Sequence, residues 1–297
     1  MDNTTRGAVE MTGAMVILGT IGWFVAKSGQ PVMDVVFWRC FFGAVTLLIV
    51  CAAMGLLRGQ LSWRIAALAA LGGAAIVVNW LLLFAAYSRA SIAIATAVYN
   101  TQPFMLVGFG ALLFSERITT TKLAWLAVAF LGMVLIVQAN PGGGAGGAEY
   151  LVGIVMALAA AFFWAVAAVV TKWLKGTPPH LIALIQVGVG VVMLAPFASA
   201  SDLPSDAGAW AALATIGVVH TGIMYILMYD AVQKLPTYLQ GSLSFLYPGV
   251  AILVDVIAFD HRLGLTQILG IAAILLGAAG MMLGWSLRRG KGAAAEA

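Results

Sequence analysis

The sequence predicts an all-α membrane protein with ten transmembrane helices arranged as two inverted-topology five-helix repeats. The composition, ten apolar segments and a similarity between the two halves of the chain predict this fold class. Of the 297 residues, 63% are hydrophobic and 9% are charged, whereas soluble domains carry roughly a quarter charged residues. The mean hydropathy is +1.04. A single core cannot bury this much apolar surface, so we expect lipid to be the solvent.

Ten segments are apolar over about the 20 residues that a membrane-spanning helix needs. They run near 9–28, 32–54, 64–87, 91–114, 122–139, 150–173, 180–199, 209–231, 236–258 and 266–287. The first resembles a signal peptide, because AKS at 26–28 could pass for a cleavage site. However, only Arg6 precedes it as a cation, and its apolar run is long for a signal sequence. We therefore interpret it as a span.

Lys and Arg residues predict the orientation, because they are concentrated in the cytoplasmic loops of membrane proteins. With the N-terminus inside, eleven of them fall in inner segments and three in outer loops. The outer three are Lys27, Arg89 and Arg262. This bias predicts that both termini are cytoplasmic.

The two halves of the chain resemble each other. At an offset of 145 residues, Pro103 aligns with Pro248 and Arg117 with Arg262, and at an offset of 141 Trp23 aligns with Trp164. Each half contains five spans. Because five is odd, the second half enters the membrane from the opposite side, as in the inverted repeats of secondary transporters.

This division predicts four parts of the chain. The first repeat is 1–140, a Gly-rich linker is 141–149, the second repeat is 150–287, and a cytoplasmic tail is 288–297. In such repeats the substrate site lies at the repeat interface, near the middle of the membrane.

The stretches QPFMLVGFGALLFSERIT (102–119) and YPGVAILVDVIAFDHRLG (247–264), together with the ten spans, resemble the drug/metabolite transporter superfamily in its ten-helix EamA-type branch. The resemblance covers essentially the whole chain and looks closest to bacterial aromatic amino acid exporters. In the second copy Asp260-His261 stands where the first has Ser115-Glu116, so the acidic residue of the family is displaced there.

The resemblance implies a multi-pass protein of the bacterial inner membrane that acts by alternating access around a central cavity. Its partners would be small molecules, namely aromatic or neutral amino acids and similar amphipathic metabolites, and membrane lipids. It implies no cofactor, and the oligomeric state stays open.

Two prolines are candidate hinges, because each removes the hydrogen bond to the carbonyl four residues earlier in a helix. For Pro103 and Pro248 those carbonyls belong to Tyr99 and Ser244. Either the carbonyls accept from a substrate ammonium, or the prolines only bend the helices for packing.

Polar and aromatic residues at mid-span are candidates to line the cavity. The set is Trp23, Asn79, Tyr99, Gln102, Trp164, His220, Tyr225, Ser244 and Tyr247. Several have alternative roles: Asn79 could join helices, and His220 could make a structural hydrogen bond or carry a proton. Arg39, inside the second span, could attract a carboxylate or extend to the headgroups.

Other classes of function lack support in the sequence. There is no HExxH motif, no paired intramembrane aspartate and no GxSxG with a matching His and Asp, so we predict no catalytic residues. The histidines are too scattered for a metal site, and no basic stripe indicates nucleic acid. Because Arg39 is the only deep cation, a phosphate carrier is disfavoured. A broad drug or nucleotide-sugar carrier and a lipid scramblase remain the alternatives.

Overall fold

The computed structural model describes residues 2–57, 62–90, 95, 98–138, 148–198, 203–204, 206–259 and 264–285. All regular structure in these ranges is helical, and none of it is β-strand. The helices are α1 (Asn3–Gly19), α2 (Ile21–Ser28), α3 (Val32–Ala53), α4 (Trp63–Ala90), α5 (Gln102–Phe114), α6 (Thr120–Gln138), α7 (Ala148–Trp173), α8 (Pro179–Leu194), α9 (Ala207–Gly217), α10 (Met224–Lys234), α11 (Thr237–Ser244), α12 (Leu246–Phe259) and α13 (Leu265–Met282). Of the predicted linker 141–149, residues 141–147 lie outside the described residues, whereas 148 and 149 begin α7. The predicted tail 288–297 also lies outside the described residues.

Six helical segments are long and apolar enough to cross a membrane. They are Asn3–Val25, Val32–Ala53, Trp63–Leu83, Ala148–Trp173, Pro179–Phe197 and Ala207–Lys234. Shorter apolar helices cover Gln102–Phe114, Thr120–Leu135 and Ile268–Met281. The molecule is therefore a multi-helix membrane protein, while the count of ten spans stays a prediction.

Two predicted spans are interrupted, where the sequence predicted helices bent at proline. In the fourth, Asn100 and Thr101 form a turn and α5 begins at Gln102, which puts Pro103 in its first turn. Proline fits there because the first N–H groups of a helix have no intrahelical acceptor. In the ninth, a turn at Phe245 separates α11 from α12. Residues 91–94 and 96–97 lie outside the described part of the fourth span.

The first span is also broken, at Thr20 between α1 and α2. The Thr20 hydroxyl donates to the carbonyl of Ile17 at 2.8 Å. Beside the break, a Cβ on Gly19 would lie 2.6 Å from the Cβ of Val250. The break therefore coincides with a close contact between α1 and α12 that only glycine permits.

A π-helical segment, Val218–Ile223, joins α9 to α10. In it the Thr221 hydroxyl donates to the carbonyl of Ile216, five residues earlier, at 3.0 Å. Helix α3 crosses this segment closely, since a Cβ on Gly43 would lie 2.6 Å from Cγ2 of Thr221. The extra residue in the π turn thus faces α3.

Small residues let α6 and α13 pack against each other along their length. A Cβ on Gly277 would lie 2.9 Å from the Cβ of Ala129, and one on Gly280 would lie 2.4 Å from the Trp125 ring. The glycine-rich stretch near the end of the chain therefore packs within the protomer.

Large apolar side chains cover the outside of the bundle. Leu112, Val192 and Ile257 are 80%, 76% and 83% exposed. Such exposure is unfavourable in water and is expected against lipid tails.

Candidate functional site

A cavity of about 500 Å³ lies among α1–α5, α7 and α9–α12. This volume is within the range of small-molecule sites in proteins. Its walls are mostly aliphatic, with Met15, Val36 and Leu83 among them. The structure brings five of the predicted site residues to the wall: Tyr99, Gln102, Trp164, Ser244 and Tyr247.

The two interrupted spans meet beside this cavity. Asn100 Nδ2 donates to the hydroxyl of Tyr247 at 3.4 Å. A Cβ on Gly241 would lie 3.0 Å from the Cβ of Pro103, so α11 and α5 are in close contact. The Ser244 hydroxyl donates to the carbonyl of Gly241 at 2.7 Å. The breaks in the two spans are thus neighbours, and each contributes to the cavity wall.

Asn79 lies behind the wall. Its Nδ2 donates to the carbonyl of Ala160 at 2.7 Å and to the hydroxyl of Tyr99 at 3.3 Å. The first bond joins α4 to α7, as the helix-joining alternative predicted, and the second supports a ring that does line the cavity.

His220 and Trp23 also lie outside the cavity wall as the structure describes it. Nε2 of His220 is 2.8 Å from the Thr20 hydroxyl, and its Nδ1 is 3.3 Å from the carbonyl of Thr215. The imidazole therefore links the break in the first span to the π segment. Trp23 packs edge-on against Phe24 and lies 4.9 Å from Nζ of Lys27.

Arg39 is part of the cavity wall, although the sequence left its role open. It is only 7% exposed. Its Nε donates to the Thr221 hydroxyl at 2.9 Å, and its guanidinium carbon lies 4.5 Å from the centre of the Trp80 ring and 5.8 Å from that of Tyr225. Tyr225 thus contacts Arg39, a residue of the cavity wall, and does not itself line the cavity as the structure describes it. The sequence feature that singled out Arg39 as a candidate was its charge within a membrane-spanning segment.

Two buried amide oxygens near the cavity have no hydrogen-bond partner in the part of the chain that the structure describes. They are Oε1 of Gln102, which lines the cavity, and Oδ1 of Asn79. An unpaired buried polar atom is unfavourable, and of these two residues Gln102 lines the cavity while Asn79 lies behind its wall.

Glu116 is the centre of an ion cluster that lies at the end of the helices away from the cavity. Its carboxylate pairs with the ammonium of Lys172. It also accepts from the backbone N–H of Thr237 at 2.9 Å and from the Thr237 hydroxyl at 2.6 Å. Thr237 begins α11 and Pro236 precedes it without a side-chain cap, so Glu116 caps this helix from another part of the chain. Burial alone would raise the pKa of Glu116, but the hydrogen bonds from Lys172 and Thr237 outweigh it and hold the pKa below its ordinary value.

A second ion cluster lies on the other side of the loop that joins α10 to α11. Nζ of Lys234 is 2.8 Å from Oε2 of Glu10 and 2.5 Å from Oδ2 of Asp230. Arg6 donates from Nε to Glu10 at 2.9 Å. The loop between α10 and α11 is therefore held by an acid of α1 on one side and by Glu116 on the other.

Among the described residues, no group of three or more His, Cys, Asp and Glu could hold a metal ion. Cys40 and Cys51 are both buried and unpaired. The described site therefore consists of an apolar cavity with a few polar groups, and its chemistry is that of binding.

An all-helical membrane bundle around such a cavity has the architecture of a solute transporter. The sequence profile of the EamA-like transporter family matches residues 5–138 and 151–283. An uncharacterized transporter of Bacillus subtilis, YxxF, is 32% identical over 293 residues, which cover 97% of this chain and 92% of that protein. The chain belongs to the EamA-like transporter family of the drug/metabolite transporter superfamily. This confirms the family predicted from the sequence.

More distant relatives carry substrate names. A probable amino-acid metabolite efflux pump of Escherichia coli is 27% identical over 197 residues, 62% of this chain and 65% of that protein. The aromatic amino acid exporter YddG of Ancylobacter novellus is 25% identical over 176 residues, 59% of this chain and 61% of that protein. A protein of known crystal structure matches with a TM-score of 0.82 over 94% of this chain and 97% of its own, at 22% identity, which supports the fold alone.

Proposed function

We propose that this protein is a secondary transporter that exports aromatic and other neutral amino acids, or similar amphipathic metabolites, across the bacterial inner membrane. The cavity is the observation that carries the proposal. Its wall is largely apolar and includes Tyr99, Trp164 and Tyr247, which suit the side chain of an aromatic solute. The few polar groups suit a small head group. The names of the E. coli and Ancylobacter relatives agree with this substrate class.

The proposed mechanism is alternating access between two inverted five-helix repeats. The family profile matches the chain twice, which supports a duplication. Ten spans result when each interrupted helix is counted as one. The described segment 98–114 and the pairs α1–α2, α9–α10 and α11–α12 are then one span each, and the other six helices are one each. The halves 1–140 and 150–287 would then exchange shapes during transport.

Ion pairs are compatible with the proposed ten-span topology, because each pair joins groups that this topology puts on the same side of the membrane. The ten-span topology puts Glu10, Lys234 and the Glu116 cluster at the inner ends of their spans, and these groups are in contact. It puts Arg89 and Glu149 at outer ends, and their side chains are 3.3 Å apart. The cavity would then face outward, with the two clusters closing the cytoplasmic end.

Pro103 and Pro248 would serve as hinges in this mechanism. Both lie in the first turn of a helix that follows a break, in α5 and α12. A break next to a rigid first turn allows the two parts of a span to change their angle without distorting either helix.

Counterflow in proteoliposomes tests the proposal. Vesicles loaded with unlabelled phenylalanine should accumulate labelled phenylalanine or tryptophan faster than protein-free vesicles. Replacing Tyr247 by Ala should slow uptake, whereas Leu112→Ala, on the exposed surface, should not. Absence of counterflow for every neutral amino acid would refute the substrate class.

The same vesicles test the alternatives. Uptake of drugs or nucleotide sugars without amino acids would favour a broader carrier. Lipid exchange between leaflets without solute uptake would favour a scramblase. Among the described residues, the wall of the cavity carries one cationic side chain, Arg39, which disfavours a diphosphate-linked sugar, because several charged donors would bind its phosphates better.

A further inference from the structure

Arg39 is the charged side chain among the described residues that line the cavity. It belongs to α3 and lies beside Val35 and Val36 on the same wall. A charge in this position is unfavourable unless it is paired or serves a solute. Its partners therefore decide its role.

The protein satisfies only part of the guanidinium. Nε donates to Thr221, and both terminal nitrogens have no hydrogen-bond partner in the part of the chain that the structure describes. No carboxylate of the described residues lies within ion-pair distance of Arg39, and this includes Asp34, five residues earlier on α3. The bidentate edge of the Arg39 guanidinium is thus left for another group.

The surroundings hold the guanidinium in one place. The Trp80 ring lies 4.5 Å from it, and the Tyr225 ring lies 5.8 Å away. Thr221 is itself fixed by its bond to the carbonyl of Ile216 in the π segment. A side chain that extends to the headgroups would be exposed at its tip, whereas Arg39 is 7% exposed. The geometry is that of a positioned anion-binding group.

An independent observation indicates a zwitterionic solute. Oε1 of Gln102 is buried with no hydrogen-bond partner among the described residues, and Gln102 lines the same cavity. An amide oxygen accepts from an ammonium group, as an arginine edge donates to a carboxylate. The residues that line the cavity therefore include one charged donor group, the guanidinium of Arg39, and one amide acceptor, Oε1 of Gln102.

We infer that Arg39 binds the carboxylate of the transported solute, and that the solute class is monocarboxylates with an apolar body. This inference rests on the proposed transport function and deepens it. A single cation selects one negative charge, so dicarboxylates and phosphates are poorer solutes. The ammonium group, held by Gln102, contributes less, because an amide oxygen carries no net charge.

Competition with labelled phenylalanine tests this in the unmodified protein. 3-Phenylpropionate, which keeps the carboxylate, should compete, whereas phenethylamine and phenylalaninamide, which lack it, should compete roughly tenfold or more weakly. Equal competition by all three compounds would overturn the inference while leaving amino acid transport intact.

Variants of Arg39 provide the second arm. Arg39→Gln should remove the preference for 3-phenylpropionate over phenethylamine, and Arg39→Lys should retain part of it, since charge remains without the bidentate edge. The control Gln102→Ala should change the response to phenethylamine instead. If Arg39→Gln folds poorly, Arg39→Lys and the competition series still decide. A retained preference in a folded Arg39→Gln would overturn the inference.

Thermal stabilisation in detergent separates the two proposals. With 3-phenylpropionate as probe, the melting temperature of the unmodified protein should rise, and that of Arg39→Gln should not. If this holds while no amino acid is transported, Arg39 is an anion site and the proposed substrate is wrong. If neither stabilisation nor competition depends on the carboxylate, the inference fails.

Discussion

Replacing Glu116 by Gln should open the end of the bundle at which Glu116 pairs with Lys172. The substitution keeps the shape of the side chain but removes the charge that pairs with Lys172 and caps α11 at Thr237. The side chains of Glu116 and Lys172 are 17% and 15% exposed, so water replaces the lost interaction only in part. A hydrogen bond to a charged group contributes about 1.5–3 kcal/mol. A loss of about 2 kcal/mol changes the ratio of closed to open protein about 30-fold.

A cysteine reporter measures this ratio. Leu239 on α11 is 4% exposed, and in Leu239→Cys a thiol would become reachable when the cluster opens. Cys40 and Cys51 are each fully buried, and the parent protein supplies their background. In inside-out vesicles a membrane-impermeant maleimide should label the reporter about 30-fold faster in the Glu116→Gln background.

Glu149→Gln is the matched control. It makes the same chemical change in an ion pair whose acid is 74% exposed, and such surface pairs contribute about 0–1 kcal/mol. Labelling of the reporter should hardly change. If Glu116→Gln and Glu149→Gln gave the same labelling rate, the reasoning that assigns a closing role to the Glu116 cluster would be refuted.

The pH dependence follows from the lowered pKa of Glu116. A carboxyl whose pKa is depressed stabilises the structure above its ordinary pKa, which is 4.5 here, and loses that contribution as the pH falls through the lowered value. The difference in melting temperature between the unmodified protein and Glu116→Gln should therefore be constant from pH 8 to pH 5. It should shrink below pH 4.5.

Three further predictions concern packing, hinge and cavity support. Gly280→Ala should destabilise the protein in detergent by about 1–3 kcal/mol, because the new Cβ would lie 2.4 Å from the Trp125 ring, while Gly108→Ala, with nothing within 4 Å, should not lower the melting temperature. Pro103→Ala should reduce the counterflow rate more than the yield of folded protein, and equal reductions would mean that the proline only serves assembly. Asn79→Ala should raise KM for phenylalanine through loss of its bond to a cavity tyrosine, and unchanged kinetics would remove Asn79 from the site.

The sequence predicted the class of fold because composition dominates it. Because 63% of the residues are hydrophobic, the apolar surface of the helices is kept from water only in a membrane. The prediction of the family followed separately, from QPFML…SERIT and its second copy. The sequence did not predict the break at Thr20 or the π segment at 218–223. Both depend on contacts between distant helices, through Gly19 and Gly43, and leave no pattern in local periodicity.

The residues of the cavity wall could be predicted only in part, because the sequence shows the depth of a residue in a span but not the direction in which it faces. Depth in a span can be counted from sequence, and Tyr99, Trp164 and Tyr247 were found in that way. Which face of a helix turns inward depends on the packing of the whole bundle. His220, at similar depth, instead contacts Thr20.

Proline was interpreted from the sequence as an interruption of the helix, and the hinge role of Pro103 and Pro248 stays a prediction. A proline removes one backbone donor, which is compatible with a kink or with a new helix start. The turn at Thr101 decides for a new start of α5 at Gln102. The local sequence did not distinguish the two outcomes.

The loop between α10 and α11 also limits how this protein can be recombined with its relatives. Two acids from the first half of the chain, Glu10 and Glu116, depend on Lys234 and Thr237 from the second half. A chimaera that takes its second half from a relative with Lys172 but without a cation and a hydroxyl at these positions would remove one partner from each of two partly buried carboxylates, leaving Glu10 with Arg6 and Glu116 with Lys172 and a backbone N–H. Exchange of whole halves should therefore give a more stable protein when these four positions are transferred as a set.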